Sequence, residues 1–128
     1  MPHLKIEYTG NLEPEARIDI LCDSLAATMA GLRDPDGKPV FPLAGTRVLA
    51  YPAATHAVGD GTSGQGFIYM NLRVTPGRAR SVLDAAGAAL LATVGAHFDA
   101  IALPVPYAVT LHIDEVVPAF EGRYRPQH

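Results

Sequence analysis

The sequence has few of the residues on which disulfide, thiol and aromatic chemistry depend. It contains one cysteine, Cys22, and no tryptophan, and aromatic residues make up 7% of its 128 residues. A single cysteine excludes an internal disulfide and suits a reducing compartment, so we expect a cytoplasmic location. Cys22 falls in an apolar helical pattern, which favours a small packed side chain over a nucleophile.

Basic blocks and long apolar runs are also missing. Ten Lys and Arg residues oppose thirteen Asp and Glu residues, which gives a net charge of −3. Nucleic acid is therefore not an expected partner. No apolar run reaches the roughly 20 residues that span a bilayer, and the N-terminus lacks the features of a secretory signal. We predict no association with membranes.

Hydrophobic periodicity divides the chain into two strand–helix–strand halves of one domain, residues 1–128. In the first half, about residues 1–58, HLKIEY and GTRVLAYPA are typical of strands, and residues 13–32 have helical spacing with Pro14 in the first turn. In the second half, about residues 65–117, GFIYMNLRV and YAVTLHIDEVV are typical of strands, and residues 78–101 carry a helical apolar stripe. A polar tail, expected to be extended, begins at Pro118.

This order predicts an α/β (α+β) fold with the arrangement β-α-β-β-α-β. Each half is expected to form a right-handed parallel crossover, so that one four-stranded sheet carries both helices on one face. The strand GFIYMNLRV has large apolar side chains on both of its faces, with Phe67 and Tyr69 opposite Ile68, Met70 and Leu72. An apolar open face implies burial against another subunit, so we expect an oligomer.

Neither the glycine-rich segment nor the histidines of the sequence fit the site that they suggest, a dinucleotide site and a metal site respectively. GDGTSGQG matches GxGxxG at Gly59, Gly61 and Gly64, but the dinucleotide fingerprint follows a strand and opens a helix. Here a loop precedes the glycines and a strand follows, which favours a flexible loop. The five histidines and Cys22 show no metal-ligand spacing. His97 lies on the apolar helical stripe and is expected to be a hydrogen-bonded core residue.

Three residues stand where their chemistry would be useful. Pro2 follows the start methionine, whose removal would leave a secondary amine as a base; the alternative is a proline at the first position of a strand. Arg78 follows Pro76 and Gly77 at the predicted helix start, where a cation opposes the helix dipole and free N–H groups favour an anion. Arg47 follows a turn at a strand start. On position alone, an exposed side chain explains either arginine equally well.

Three segments, in order, resemble 5-carboxymethyl-2-hydroxymuconate isomerase of the tautomerase superfamily. They are MPHLKIEY at the start, FPLAGTR at residues 41–47 and GFIYMNLRVTPGR at residues 66–78. The resemblance covers nearly the whole chain and implies a tautomerase-like fold assembled as a homotrimer. It also implies Pro2 as the general base after removal of Met1, Arg47 and Arg78 as substrate-binding residues, and neither metal nor cofactor. The loop RDPDGKPV and the tail after Pro118 differ from the family pattern.

The reaction implied by this resemblance moves a proton in a 2-hydroxymuconate-type unsaturated dicarboxylic acid during the breakdown of aromatic compounds. An amine acts as a base near neutral pH only if its surroundings disfavour the ammonium form. Leu4, Phe41 and Leu43 are expected to supply apolar surroundings, and Arg47 and Arg78 to supply positive charge. Arginine can also hold carboxylates through paired N–H groups and stabilise an enolate.

Two alternatives to this reaction stay open at the level of the sequence. Proline-based relatives also hydrate or dehalogenate small unsaturated acids, which requires a carboxylate that activates water. Glu7, Asp114 and Glu115 are the available candidates. The second alternative is a trimeric protein that binds small carboxylates without catalysis.

Overall fold

The computed structural model describes residues 2–62 and 64–127. Its strands are β1 (His3–Thr9), β2 (Arg47–Ala53), β3 (Gly66–Val74) and β4 (Tyr107–Glu115), and its α-helices are α1 (Ile18–Gly31) and α2 (Arg80–Asp99). They follow one another as β-α-β-β-α-β, which confirms the predicted order. Residues 116–127, the described part of the tail after β4, contain no helix or strand.

The strands form one mixed sheet in the order β2-β1-β3-β4. β1 is parallel to β2 and β3 is parallel to β4, as the two crossovers predict, whereas β1 and β3 join the halves in antiparallel orientation. As a result, β1 and β2 begin at the same end of the sheet at which β3 and β4 finish. We call this end of the sheet the Pro2 end.

The core lies between one face of the sheet and the two helices. Alternate residues of β1 and β3 are buried there, none of them more than 6% exposed: Leu4, Ile6, Tyr8, Ile68, Met70, Leu72 and Val74. The helices contribute buried stripes, namely Ile18, Leu21, Leu25 and Met29 in α1 and Leu83, Ala86, Leu90, Val94 and Phe98 in α2. Both helices therefore cover the same sheet face, as predicted, and Cys22 packs partly buried against this core.

Both helices begin later than their apolar spacing predicts. Residues 13–16 form a turn, so Pro14 does not occupy the first turn of α1. Arg17, directly before α1, has a φ of 47°, in the left-handed region that cannot continue a right-handed helix. Gly77, with a φ of 123°, makes the turn after β3, and Arg78 therefore precedes α2 instead of beginning it.

Neither α1 nor α2 covers the second face of the sheet. On this face Lys5 is aligned with Leu49, and Glu7 is aligned with Tyr51 on one side and Tyr69 on the other. The side chains of Leu49 and Tyr51 are 40% and 49% exposed. The open face is therefore a mixture of apolar and charged residues, whereas the pattern of β3 alone predicts an apolar one.

Among the described residues, α2 is the one helix that is long and apolar enough, by length and composition alone, to cross a bilayer. One stripe of this helix is buried in the core described above. Its first turn carries an ion pair, with Arg80 Nε lying 3.0 Å from Asp84 Oδ1. The apolar character of α2 is thus explained in part by its packing on the sheet.

Candidate active site at the Pro2 end of the sheet

Pro2 lies directly before β1 at the head of a central strand. Its side chain is less than 2% exposed, and its carbonyl oxygen accepts a hydrogen bond from the backbone N–H of Arg47 at 3.1 Å. The bond extends the β1–β2 ladder beyond His3, which is aligned with Arg47. Because the ring also restricts its own backbone, the position of Pro2 is fixed relative to the start of β2.

Residues 41–46 form the turn that leads into β2. Phe41 is 2% exposed and anchors this segment in the core, and a 3-10 helix, Leu43–Gly45, follows it. Thr46 Oγ1 closes the turn by donating to the carbonyl oxygen of Pro42 at 2.9 Å. The Leu43 side chain is 78% exposed, so within one protomer it does not provide the apolar surroundings predicted for it.

The Arg47 side chain is exposed at the beginning of β2. Its Nη1 donates to the carbonyl oxygen of Ala44 at 3.0 Å, which holds the guanidinium close to the turn. Arg47 also lines an open cleft of about 530 Å³. A guanidinium held in this way can still offer N–H groups to a carboxylate that enters the cleft.

Arg78 lies against the beginning of the same turn. Its guanidinium carbon is 4.9 Å from the centroid of the Phe41 ring, a cation–π arrangement. Its Nε donates to the carbonyl oxygen of Val40 at 3.1 Å, and its Nη1 donates to that of Thr75 at 3.3 Å. These three contacts tie the turn after β3 to the segment that precedes β2.

The three predicted site residues therefore meet around one turn but do not share one cleft. Pro2 and Arg47 are joined directly by a backbone hydrogen bond. Arg78 reaches the same segment through Phe41, but it lines a different cleft from Arg47. A single protomer thus does not direct both guanidinium groups into one cavity.

The family model of 5-carboxymethyl-2-hydroxymuconate isomerase matches residues 2–128. The chain belongs to this family. A crystal structure of 5-carboxymethyl-2-hydroxymuconate delta-isomerase is 34% identical, with 98% of this chain and 89% of that chain covered and a TM-score of 0.89. The 5-carboxymethyl-2-hydroxymuconate isomerase from Deinococcus radiodurans R1 is 30% identical over 98% of this chain and 90% of that chain, with a TM-score of 0.79.

A more distant structure shares the fold of this isomerase. It is described as a fused 4-OT wild-type symmetric trimer and is 23% identical, covering 88% of this chain and 85% of that chain with a TM-score of 0.57. No curated protein sequence matches the chain. Family membership makes the protein an isomerase.

The carboxylates that a water-adding reaction would require do not line the cleft beside Arg47 in this isomerase. Glu7 is on the open face of the sheet. Asp114 accepts a hydrogen bond from Asn71 Nδ2 at 2.7 Å, and Glu115 lines a groove between β4 and α2. Among the described residues, no Asp or Glu lines the cleft beside Arg47. None of the three predicted carboxylates therefore lines the cleft beside Arg47.

The remaining sequence candidates have structural roles. His97 Nε2 lies 2.7 Å from the carbonyl oxygen of Ala16, which confirms the predicted hydrogen bond, but His97 is half-buried and is not part of the core. Burial, followed by the charges of Asp23 and Asp19, raises the pKa of the Cys22 thiol, which therefore stays protonated and weakly nucleophilic near neutral pH. Over residues 2–62 and 64–127, no group of three or more His, Cys, Asp or Glu is placed to hold a metal ion.

Residues of the C-terminal tail line the cleft beside Arg47, and they are not among the site residues predicted from the sequence. They are Arg123, Tyr124 and Arg125, which lie across the cleft from the turn before β2. Hydrophobic periodicity could not place them, because residues 116–127 have no regular secondary structure. The one available signal is the motif RYR, two arginines around an aromatic residue in an otherwise polar segment.

Proposed function

We propose that this isomerase moves a proton between two positions of a 2-hydroxymuconate-type unsaturated dicarboxylic acid, with Pro2 as the base after removal of Met1. The observation that carries this proposal is the placement of Pro2, buried at the head of β1 and hydrogen-bonded to the Arg47 N–H at 3.1 Å. The likeness to two isomerases named for 5-carboxymethyl-2-hydroxymuconate supports the class of substrate. Acids of this type arise when aromatic rings are opened, so we assign the reaction to the breakdown of aromatic compounds in the cytoplasm.

The proposed base depends on a covalent change at the N-terminus. While Met1 is attached, the Pro2 nitrogen belongs to an amide and has no basicity. After its removal, the nitrogen is a secondary amine held by a rigid strand. The apolar interior around Leu4 and Phe41, together with the positive charge of Arg47, disfavours the ammonium form and so favours the neutral base.

Proton transfer by this amine requires no other reactant. The amine takes a proton from the substrate, the electron pair shifts along the conjugated chain, and the ammonium returns the proton at another atom. General acid–base catalysis of this kind contributes about 10²–10⁴-fold. Arg47 supports the reaction by holding a carboxylate through paired N–H groups and by stabilising the negative charge that develops in the dienolate.

We also propose that a homotrimer completes the site. Arg47 and Arg78 line different clefts of one protomer, and apolar side chains of β2 and of the turn before it are exposed: Leu43 by 78%, Leu49 by 40% and Tyr51 by 49%. Apolar surface of this kind is what a neighbouring copy buries. A related structure with the same fold is described as a symmetric trimer, which agrees with this assembly.

The experiment that tests the proposal compares N-termini. Protein confirmed by mass spectrometry to begin at Pro2 is expected to ketonise 2-hydroxymuconate, which is followed by ultraviolet absorbance. Pro2→Ala is expected to lower kcat by about 10²-fold or more, because a flexible primary amine replaces the fixed base. A chain extended at the N-terminus, in which Pro2 stays an amide, should lose activity to a similar degree.

The matched control is Pro104→Ala, which removes an exposed proline from the loop between α2 and β4. This variant is expected to keep the wild-type rate. Undiminished turnover by the Pro2→Ala protein or by the extended chain would overturn the role of the proline.

A further inference from the structure

The C-terminal tail crosses the Pro2 end of the sheet. It leaves β4 at Val116, whose N–H donates to the carbonyl oxygen of Val74 at 2.9 Å. Pro118 then lines a small cleft together with His3, the first residue of β1. Residues 123–125 finally reach the turn before β2. The tail thus passes the ends of β3, β1 and β2 in turn, across the part of the molecule that holds Pro2.

This path brings three guanidinium groups to one cleft. Arg47 of β2 and Arg123 and Arg125 of the tail line it together with Tyr124, and the remaining lining residues carry no charge. Within the described part of the chain, ion pairs are formed by Arg17 with Asp19 and by Arg80 with Asp84, both elsewhere. Among residues 2–62 and 64–127, the three cations therefore have no carboxylate partner in this cleft, although the chain as a whole carries a net charge of −3. Such a concentration of positive charge attracts an anion.

We propose that Arg123 and Arg125 bind the distal carboxylate of the substrate while Arg47 holds the carboxylate closer to Pro2. This inference rests on the proposed function and adds to it the residues that select dicarboxylic over monocarboxylic acids. A cleft of about 530 Å³ accommodates a small organic diacid. Two arginines on either side of an aromatic residue can hold one carboxylate with paired N–H groups while Tyr124 covers the carbon chain.

The test is the double variant Arg123→Ala/Arg125→Ala, examined as the assembled protein that is purified. Adipate serves as an unreactive diacid and hexanoate as its monoacid counterpart, and calorimetry measures the Kd of each. We expect the Kd for adipate to rise by roughly 10-fold or more, because charge-assisted hydrogen bonds are lost, and the Kd for hexanoate to stay unchanged. In turnover of 2-hydroxymuconate, KM is expected to rise while kcat is retained.

Two controls separate binding from folding and from charge in general. Arg80→Ala removes an exposed arginine of α2 that lines a different groove, and it should leave adipate binding unchanged. Arg123→Lys/Arg125→Lys keeps the charge but not the planar fork, and it should restore adipate affinity only in part. Unchanged adipate affinity in the double alanine variant, or an equal loss for adipate and hexanoate, would overturn the assignment.

The Pro2→Ala variant distinguishes failure of this inference from failure of the proposed function. Pro2→Ala is expected to bind adipate like the wild type, because the tail and Arg47 are intact. If Pro2→Ala keeps full turnover while the tail variant loses adipate, the proline mechanism is wrong and the tail site stands. If Pro2→Ala loses turnover while the tail variant binds adipate normally, the tail site is wrong and the proline mechanism stands.

Discussion

The phenol of Tyr8 shows how one side chain connects the sheet to the segment before α1. Tyr8 is 6% exposed, and its hydroxyl donates to Glu13 Oε1 at 2.5 Å. Burial, and after it the hydrogen bond and charge of Glu13, raises the pKa of Tyr8 well above its usual value. The protonated phenol is therefore the form that the folded state stabilises.

Tyr8→Phe is expected to lower the free energy of unfolding by roughly 1–2 kcal/mol near neutral pH, because a buried hydrogen bond to a charged group is lost. The folded pKa of Tyr8 lies above its unfolded value of about 10, so its contribution is complete below pH ~10 and declines as the pH rises further. Urea unfolding from about pH 8 to about pH 11 should show that the difference in free energy of unfolding between wild type and Tyr8→Phe becomes smaller above pH ~10.

A second tyrosine provides the control for this measurement. Tyr107→Phe removes the same hydroxyl but keeps the ring beside Phe98, whose centroid lies 5.3 Å away. The Tyr107 side chain is 37% exposed, so we expect its substitution to change stability by less than about 0.5 kcal/mol. If the difference in free energy of unfolding between wild type and Tyr8→Phe does not vary with pH, the expected role of the Tyr8 hydroxyl is wrong.

The contacts of the three predicted site residues differ in how far a sequence can reveal them. Pro2 and Arg47 stand at the starts of two strands that follow each other through a helix, and a parallel crossover places such starts side by side. The packing of Arg78 on Phe41 depends on how two loops meet, which no strand or helix period encodes. The same is true of Arg123 and Arg125, which lie outside the described helices and strands.

The start of β3 depends on the absence of a side chain at Gly66. A Cβ atom at this position would lie 2.5 Å from Leu12 Cδ2 and 3.3 Å from Thr9 Oγ1. Neither neighbour can move freely, since Leu12 is 0% exposed and Thr9 Oγ1 accepts a hydrogen bond from the Phe67 N–H at 3.0 Å. The glycine is therefore needed for the close approach of β3 to the segment after β1.

Gly66→Ala is expected to lower the free energy of unfolding by about 1–3 kcal/mol, because the new methyl group overpacks the site. Gly95→Ala is the matched variant, since Gly95 lies within α2 and a Cβ there meets nothing within 4 Å. It should raise the free energy of unfolding by up to about 1 kcal/mol through helix propensity. Urea titration of both proteins gives the comparison, and changes of the same sign would disprove the packing account.

The sequence predicts the strands more accurately than it predicts the ends of the helices. Alternation along HLKIEY fixes which residues of β1 are buried, because a shift by one residue would turn the apolar side chains outward. GFIYMNLRV has apolar side chains on both faces, so the buried face of β3 follows from its pairing with β1 and not from its own pattern. The start of α1 is decided by the backbone of Arg17, whose φ of 47° no apolar spacing predicts. Pro14 is compatible with a turn as well as with a first helical turn, so it could not correct the prediction.

At the scale of the whole molecule, the open face of the sheet is a surface whose partner cannot be identified from a single chain. Its apolar side chains on β2, Leu49 and Tyr51, each face a charged residue of β1 across the ladder, Lys5 and Glu7 respectively. The exposed apolar side chains of this surface indicate that the protein forms an oligomer. They do not indicate its symmetry, because a sequence pattern does not specify which arrangement of subunits buries the surface. The register of β1 and β2 nevertheless allows Leu49 and Tyr51 to be replaced by charged residues without placing like charges opposite each other in the ladder.

Leu49→Glu/Tyr51→Lys is designed on that register. The new carboxylate lies opposite Lys5 and the new ammonium lies opposite Glu7, so both cross-strand pairs are of opposite charge and the net charge is kept. We expect the protomer to fold with an unchanged circular dichroism spectrum. We expect sedimentation to show mainly monomers and turnover to fall at least ~10-fold, because the interface loses two apolar contacts worth more than about 1 kcal/mol each.

The control is Leu91→Lys, which changes a 46% exposed leucine on α2 and should leave assembly and turnover intact. A double variant that still sediments as a trimer would show that this face is not the interface, whereas a fully active monomer would show that one protomer holds the complete site.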